Sequence, residues 1–208
     1  VKALTTAQVA ALTTDQVAAM TNGQVAALTT DAVKALTTDA MVALTTAQVK
    51  SLTTQQVSSL TTDQIVAIET NDVQVLSSNQ LVALTTGQVR AISTDQLLAL
   101  SANQLASMET TDVAAMTTDQ VVALSSGQVA ALTTNQFSHM TTEQVAALTT
   151  AQLVKVTTKD IAALTTDQVR AMTTDQLGAL LTNQVTALKT SQISALTSDQ
   201  MAGFGVTQ

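Results

Sequence analysis

Several residue types that globular proteins ordinarily use are missing from this sequence. Its 208 residues include no cysteine, proline, tryptophan or tyrosine, and only two phenylalanines and one histidine. Without cysteine the chain can have neither a disulfide framework nor a thiolate metal site. A globular enzyme of this size normally draws on a wider set of residue types. The composition therefore argues against a catalytic domain.

Charge and hydropathy exclude further classes of protein. The 15 acidic and 8 basic residues give a formal net charge of −7, and the acids are dispersed along the chain. Because there is no basic stripe and no aromatic platform, we expect no nucleic-acid partner. The apolar runs are too short to cross a bilayer, so no membrane span is expected. No charged segment leads into an apolar one, so we expect no signal peptide in this sequence.

What the sequence has in abundance is repetition. The phrase Leu-Thr-Thr-Asp-Gln-Val-Ala-Ala begins at Leu12, and close variants recur in the same register. If the eight positions are labelled a to h from Leu4, the chain is 26 octads long without an insertion. Positions a and f are apolar in every octad, and position h is nearly always Ala or Ser. The whole chain is therefore one repeat array.

A period of eight residues excludes most regular structures. Eight residues at about 100° each would move the apolar face of a continuous helix by roughly 80° per octad. A coiled coil needs a period of seven or eleven residues, and a strand would place a and f on opposite faces. A β-solenoid of very short strands remains the alternative. It usually has Gly or Asn at its corners, whereas glycine occurs only six times here, and Ala and Gln are poor strand formers.

A short capped helix in each octad agrees best with the pattern. Positions b to e read Thr-Thr-x-Gln, as in residues 13–16, which is the signature of a capping box. Position b is Thr or Ser in 21 of 26 octads, and position e is Gln in 21 of 26. Positions a and f then form the hydrophobic staple. Asp is frequent at d, near the positive end of the helix, and basic residues occur at g, near its negative end.

Helices of about one and a half turns cannot be stable alone, so they must share a core. We therefore predict an all-α solenoid of 26 short capped helices, one per octad. The pattern runs uninterrupted through residues 1–202. Residues 203–208 depart from it and form either a degenerate final repeat or the edge of the array. No superperiod is visible in a, f or g, so the number of octads per coil stays open.

The repeated phrase resembles the octapeptide tracts of very large secreted bacterial surface proteins. Such proteins are often described as adhesin-like, calcium-binding or haem-utilisation-like, and the resemblance covers the whole chain. It implies a stalk or spacer located outside the cell or on the bacterial cell surface. The Gly-Gly-x-Gly-x-Asp nonapeptides that bind calcium in such proteins are absent here, as is a recognisable adhesive head. No residue of this chain supports haem binding.

The single histidine is the first candidate for chemistry. His139 occupies an h position that normally holds Ala. An imidazole could ligate haem or a metal, but no second ligand lies near it in the sequence. We therefore expect a tolerated substitution at the edge of a coil.

Two octads replace positions b and e together with acidic residues. The pairs are Glu69 with Asp72 and Glu109 with Asp112. Carboxylates three residues apart could hold Ca²⁺, which takes six or more oxygen ligands. The interpretation we favour is that Thr70 and Thr110 take over as helix caps, which moves the two aspartates to the second helical position. The sequence thus predicts no catalytic, cofactor-binding or metal-binding residue, and no cofactor.

Three functions are compatible with such an array. The favoured one is a structural stalk, spacer or filament-forming unit of a bacterial surface protein. Its partners would be other domains of a larger protein, or copies of itself stacked end to end. The second is a solenoid module that binds a protein or a surface. The third is an ice-binding, Thr-rich scaffold, although the Thr doublets are explained as caps and lack the Thr-x-Thr spacing of flat ladders.

Overall fold

The computed structural model describes residues 3–204. Within that range the chain forms α-helices and no strands. Each octad from the one that begins at Leu4 to the one that begins at Leu196 contributes one helix of four to six residues, which begins at position c. The 25 helices are α1 (Thr6–Ala10), α2 (Thr14–Ala18), α3 (Asn22–Ala26), α4 (Thr30–Lys34), α5 (Thr38–Val42), α6 (Thr46–Ser51), α7 (Thr54–Ser59), α8 (Thr62–Ala67), α9 (Thr70–Val73), α10 (Ser78–Val82), α11 (Thr86–Ala91), α12 (Thr94–Ala99), α13 (Ala102–Ser107), α14 (Thr110–Ala115), α15 (Thr118–Ala123), α16 (Ser126–Ala131), α17 (Thr134–Ser138), α18 (Thr142–Ala147), α19 (Thr150–Leu153), α20 (Thr158–Ala163), α21 (Thr166–Ala171), α22 (Thr174–Ala179), α23 (Thr182–Thr186), α24 (Thr190–Ser194) and α25 (Ser198–Ala202).

The predicted all-α solenoid is therefore confirmed, and the β-solenoid alternative is wrong. The count differs by one from the predicted 26 helices. The last octad begins at Phe204, and the rest of it lies outside the described residues. Most of the predicted array edge at 203–208 lies outside them as well.

The predicted capping box starts the helices at the expected residue. In α2 the hydroxyl of Thr13 accepts a hydrogen bond from the backbone N–H of Gln16 at 3.2 Å. The side-chain Oε1 of Gln16 in turn accepts from the backbone N–H of Thr13 at 2.9 Å. Thr13 itself is extended, with φ −75° and ψ 161°. Two of the four unpaired amides at the helix start are thereby satisfied within one octad.

The helices end without a left-handed residue. None of residues 3–204, glycine included, has a positive φ. After α6 the chain turns to φ −58° and ψ 133° at Leu52, and Thr53 follows with φ −73° and ψ 158° before α7 begins. Two extended residues thus link one helix to the next. Many helices elsewhere end on a left-handed glycine, and its absence here agrees with the low glycine content. The last carbonyls of each helix must then find their partners elsewhere.

Three helices form one coil of the solenoid. Within each compact unit of the chain, a helix packs against the helix three further along, as α3 does against α6 and α18 against α21. A coil therefore contains three octads, or 24 residues, which the sequence had left open. The chain divides into two compact units, Val1–Met108 and Glu109–Gln208. Each unit is built from coils of this kind.

Positions a and f supply the core, as predicted. Val129 at f and Leu132 at a are 1% and 4% exposed, whereas Asn135 at d is exposed and Ala130 at g is half-buried. Full burial of one such aliphatic side chain stabilises a fold by about 1.5–3 kcal/mol. From Val25 to Leu180 every a and f side chain is buried, so the core extends along each unit, whereas Leu12 is half-buried and Met201 is 47% exposed near the two ends. None of the described helices has the length and apolar character needed to cross a membrane.

Candidate functional site

The side chains that could perform chemistry are dispersed over the described residues. Among residues 3–204, no three His, Cys, Asp or Glu side chains group together as metal ligands would. His139 is exposed and follows the last residue of α17. Its Nδ1 lies 2.7 Å from the carbonyl oxygen of Asn135, so the imidazole is placed to satisfy one of the last carbonyls of that helix.

The expectation that Thr70 and Thr110 become helix caps is wrong. Helices α9 and α14 begin at these residues, and Glu69 and Glu109 occupy the cap position without a side-chain capping bond. Asp72 and Asp112 are consequently the third residues of their helices, not the second, and both are buried. The register is fixed by the apolar residues at a and f. Burying two of these contributes more than the roughly 1 kcal/mol that one cap contributes.

The most regular polar contact of the molecule joins one coil to the next. Gln48 is 1% exposed, and its side-chain Oε1 accepts the backbone N–H of Thr45 at 2.7 Å as part of the capping box. Its Nε2 donates to the carbonyl oxygens of Val17 at 2.9 Å and Met20 at 2.7 Å. Those carbonyls lie at the end of α2 and in the link that follows. Gln48 therefore closes the start of its own helix and the end of a helix in the preceding coil.

We call the side chains with this pair of contacts the glutamine ladder. Each donates to the carbonyls 31 and 28 residues earlier, which occupy positions f and a. In the first unit they are Gln48, Gln56, Gln64, Gln80, Gln88, Gln96 and Gln104. In the second unit they are Gln144, Gln152, Gln168, Gln176, Gln184 and Gln192. Gln200 makes a close variant, with the carbonyls of Arg170 and Met172.

The ladder explains why position e holds an amide. A capping box accepts Glu as readily as Gln, because only an acceptor oxygen is needed. Contact with two carbonyls of another coil needs two N–H donors, which Gln has and ionised Glu lacks. No octad has Glu at e. This strict preference was the signal for a second role of the glutamine, and reasoning from the capping box alone missed it.

Five octads lack the glutamine, and the structure treats them differently. Ala32 and Ala40 are buried and offer no donor. Asp160 holds both of its carboxylate oxygens in hydrogen bonds, one from the hydroxyl of Thr134 at 2.6 Å and one from that of Thr157 at 2.5 Å. The two remaining octads, which carry Asp72 and Asp112, have Glu in place of Thr at position b and so lack the second hydroxyl.

Asp112 is the least satisfied of these side chains. It is 3% exposed, and its Oδ2 has no hydrogen-bond partner among the described residues. Burial raises the pKa of this carboxyl to about 6, although a backbone hydrogen bond at Glu109 lowers it. The negative charge of Glu109 raises it further. A carboxyl with such a pKa changes its charge near neutral pH.

The repeats, the caps and the coil contacts define the protein as a helical solenoid repeat protein. Consecutive stretches match the ALTTAQ repeat family at residues 1–22, 18–46, 33–67, 65–102, 97–126, 105–142, 126–158, 154–190 and 175–206. Since these stretches tile almost the whole chain, it belongs to the ALTTAQ repeat family. Residues 43–48 read Ala-Leu-Thr-Thr-Ala-Gln. The predicted octapeptide tract is thereby confirmed. None of the curated proteins matches the chain significantly.

Proposed function

We propose that this chain is a structural repeat segment that serves as a stalk or spacer of a bacterial surface protein. The observation that carries the proposal is the glutamine ladder, which joins coil to coil by the same pair of bonds repeatedly within each unit. The octapeptide resemblance supports a location outside the cell. The partners would be other domains of a larger protein, or further copies of the array. We propose no catalytic role for the tract.

The chemistry of the ladder suits a spacer. Every contact of an octad is with its own helix, its neighbours in the chain, or the coils on either side. Octads can therefore be added or removed without altering the contacts of distant ones. The variable positions d and g lie on the outside and differ from octad to octad. A spacer needs its internal joints and tolerates such variation, whereas a binding module depends on particular residues at its surface.

That contrast gives the experiment. One variant exchanges the residues at d and g among the octads and keeps the composition. A second replaces the three ladder residues of one coil, Gln168, Gln176 and Gln184, by Glu. Both are placed in the full-length protein of a producing bacterium, and its surface display and its reach from the cell are measured. A spacer predicts a normal result for the first variant and an impaired one for the second.

The opposite pattern would favour a module that binds through its outer surface. Location is tested separately by treating intact cells with a protease and following the tract with an antibody. Rapid digestion is expected. A tract that is digested only after lysis would refute a place at the cell surface, whatever the two variants show.

A further inference from the structure

The octad at residues 68–75 departs from the regular pattern in several ways. Its helix, α9, has only four residues. Glu69 occupies the cap position without a side-chain capping bond, and Asp72 stands where the ladder has glutamine. Asp72 is 4% exposed. The core beside α9 also contains a small cavity of about 20 Å³, lined in part by Val73 and Leu76.

An ionised Asp72 cannot do what a ladder glutamine does. In the register of the ladder its partners would be the carbonyls of Met41 and Leu44, both acceptors that an ionised carboxylate can only repel. The hydroxyl of Thr46 on α6 lowers the pKa of Asp72 and so offsets part of this cost. A neutral carboxyl, in contrast, carries an O–H that can donate to a carbonyl oxygen. Protonation of Asp72 therefore removes the repulsion between its side chain and the carbonyl oxygens and provides a hydrogen-bond donor in its place.

Of the charged groups around Asp72, the acidic side chain of Glu69 acts in the same direction. Helix α9 packs against α6 and α12. Their charged residues are Lys50 and Asp95, both exposed. Helix α5, which carries the Met41 carbonyl, has the exposed Asp39, and Glu69 lies on the same octad as Asp72. Burial raises the pKa of Asp72 and the charge of Glu69 raises it further, while the hydroxyl of Thr46 lowers it. Asp160 supplies the contrast, because two Thr hydroxyls hold its carboxylate.

We propose that residues 68–75 form a proton-dependent joint of the solenoid, closed when Asp72 is neutral and prone to local opening when it is ionised. Because the pKa of Asp72 in the folded chain is raised above 3.8, the ordinary value of an aspartate, the stabilising contribution is complete below pH 3.8. It is lost as the pH rises through the folded pKa. Acid thus tightens the contact of α9 with the end of α5 and the link that follows it, and a neutral medium loosens this contact. The inference does not depend on the tract being a stalk.

Hydrogen exchange of the complete 208-residue chain tests the proposal. Protection factors of the α9 amides, corrected for the intrinsic exchange rate, are measured from pH 4 to pH 8. Protection should fall with rising pH by at most about tenfold per pH unit, the value for one proton, and should become constant once Asp72 is fully ionised. Helix α7, capped by Thr53 and joined through Gln56, is the internal control and should show no such slope.

Two substitutions make the test specific. Asp72→Gln restores the ladder donor and should give high protection that no longer depends on pH. The side chain of Gln is longer than that of Asp and could be too large for the site. Asp72→Asn, which is nearly isosteric with Asp and cannot ionise, should therefore also abolish the slope. Asp160→Gln is the matched control and should leave the α9 profile unchanged. A flat profile in the parent chain, an unchanged slope after both Asp72 substitutions, or an equal slope in α7 would overturn the proposal.

Discussion

A substitution that replaces only the amide nitrogen of Gln152 by oxygen tests the glutamine ladder directly. Gln152→Glu keeps the side-chain length and the oxygen that accepts the backbone N–H of Thr149 at 2.8 Å. It removes the donor that now serves the carbonyls of Val121 at 2.9 Å and Leu124 at 2.7 Å. Two lost hydrogen bonds cost about 1 kcal/mol each, and buried groups left without partners add about 1–3 kcal/mol. We expect a local loss of about 3–5 kcal/mol at neutral pH.

Gln16→Glu is the matched control. Gln16 is exposed, and within residues 3–204 its side chain takes part in the capping box with Thr13 and in no bond to another coil. Because Glu serves that box equally well, this change should stay within about 0.5 kcal/mol. Hydrogen exchange around residues 117–124 and 149–156, together with urea unfolding, measures both variants. Acid should restore part of the loss in Gln152→Glu, since a neutral carboxyl can donate. Equal costs for the two variants would refute the role of the ladder.

Three other changes probe the octads that depart from the pattern. Ala40→Gln places a donor where the ladder register points to the carbonyls of Val9 and Leu12. The free energy of protection of the α1 and α2 amides against exchange should rise by about 1 kcal/mol per bond formed. Unchanged exchange would mean that the buried site has no room for the amide. Leu181→Thr supplies the missing hydroxyl at the start of α23, where Leu181 is 47% exposed, and should raise the stability of that helix by about 1 kcal/mol. Thr173→Ala should lower the stability of α22 by a similar amount. A loss of stability in the first variant and a gain in the second would show that the cap assignment is wrong. The pKa of Asp112 is about 6 in the folded chain, against an ordinary value of 3.8. The free energy of unfolding should therefore decline by about 3 kcal/mol in all as the pH rises from 4 to 7. Asp112→Gln should remove this pH dependence in urea unfolding, and a dependence that persists would assign the effect to another group.

The sequence predicted the parts of the fold that lie within one octad. Thr13 and Gln16 are three residues apart, and Val17 follows directly, so their contacts are set by the local backbone. The pattern therefore indicated where most helices begin and which apolar side chains are buried, but not that the glutamines at position e are buried as well. The displaced cap expected at Thr70 failed for a related reason. Two local signals competed there, and the apolar staple of Ile68 and Val73 outweighed the better cap.

The contacts between coils could not be predicted in the same way. The partners of Gln152 are 28 and 31 residues away, and nearly every octad offers the same two carbonyls. Because the octads are almost equivalent, coils of three or four octads would both have placed glutamine opposite an acceptor. The sequence therefore carried no signal for the coil size. The preference for Gln over Glu was a signal that a donor is needed at position e, but it does not show where the acceptors lie.

The three-octad coil also sets an angular rule for changes in repeat number. Within a unit, each octad advances the chain by one third of a turn, or about 120° around the stacking axis. Inserting or deleting one octad would keep every cap and every ladder bond available. It would nevertheless turn all the following side chains at d and g to a different side. Only changes in multiples of three octads alter the length while leaving the outer surface facing the same way.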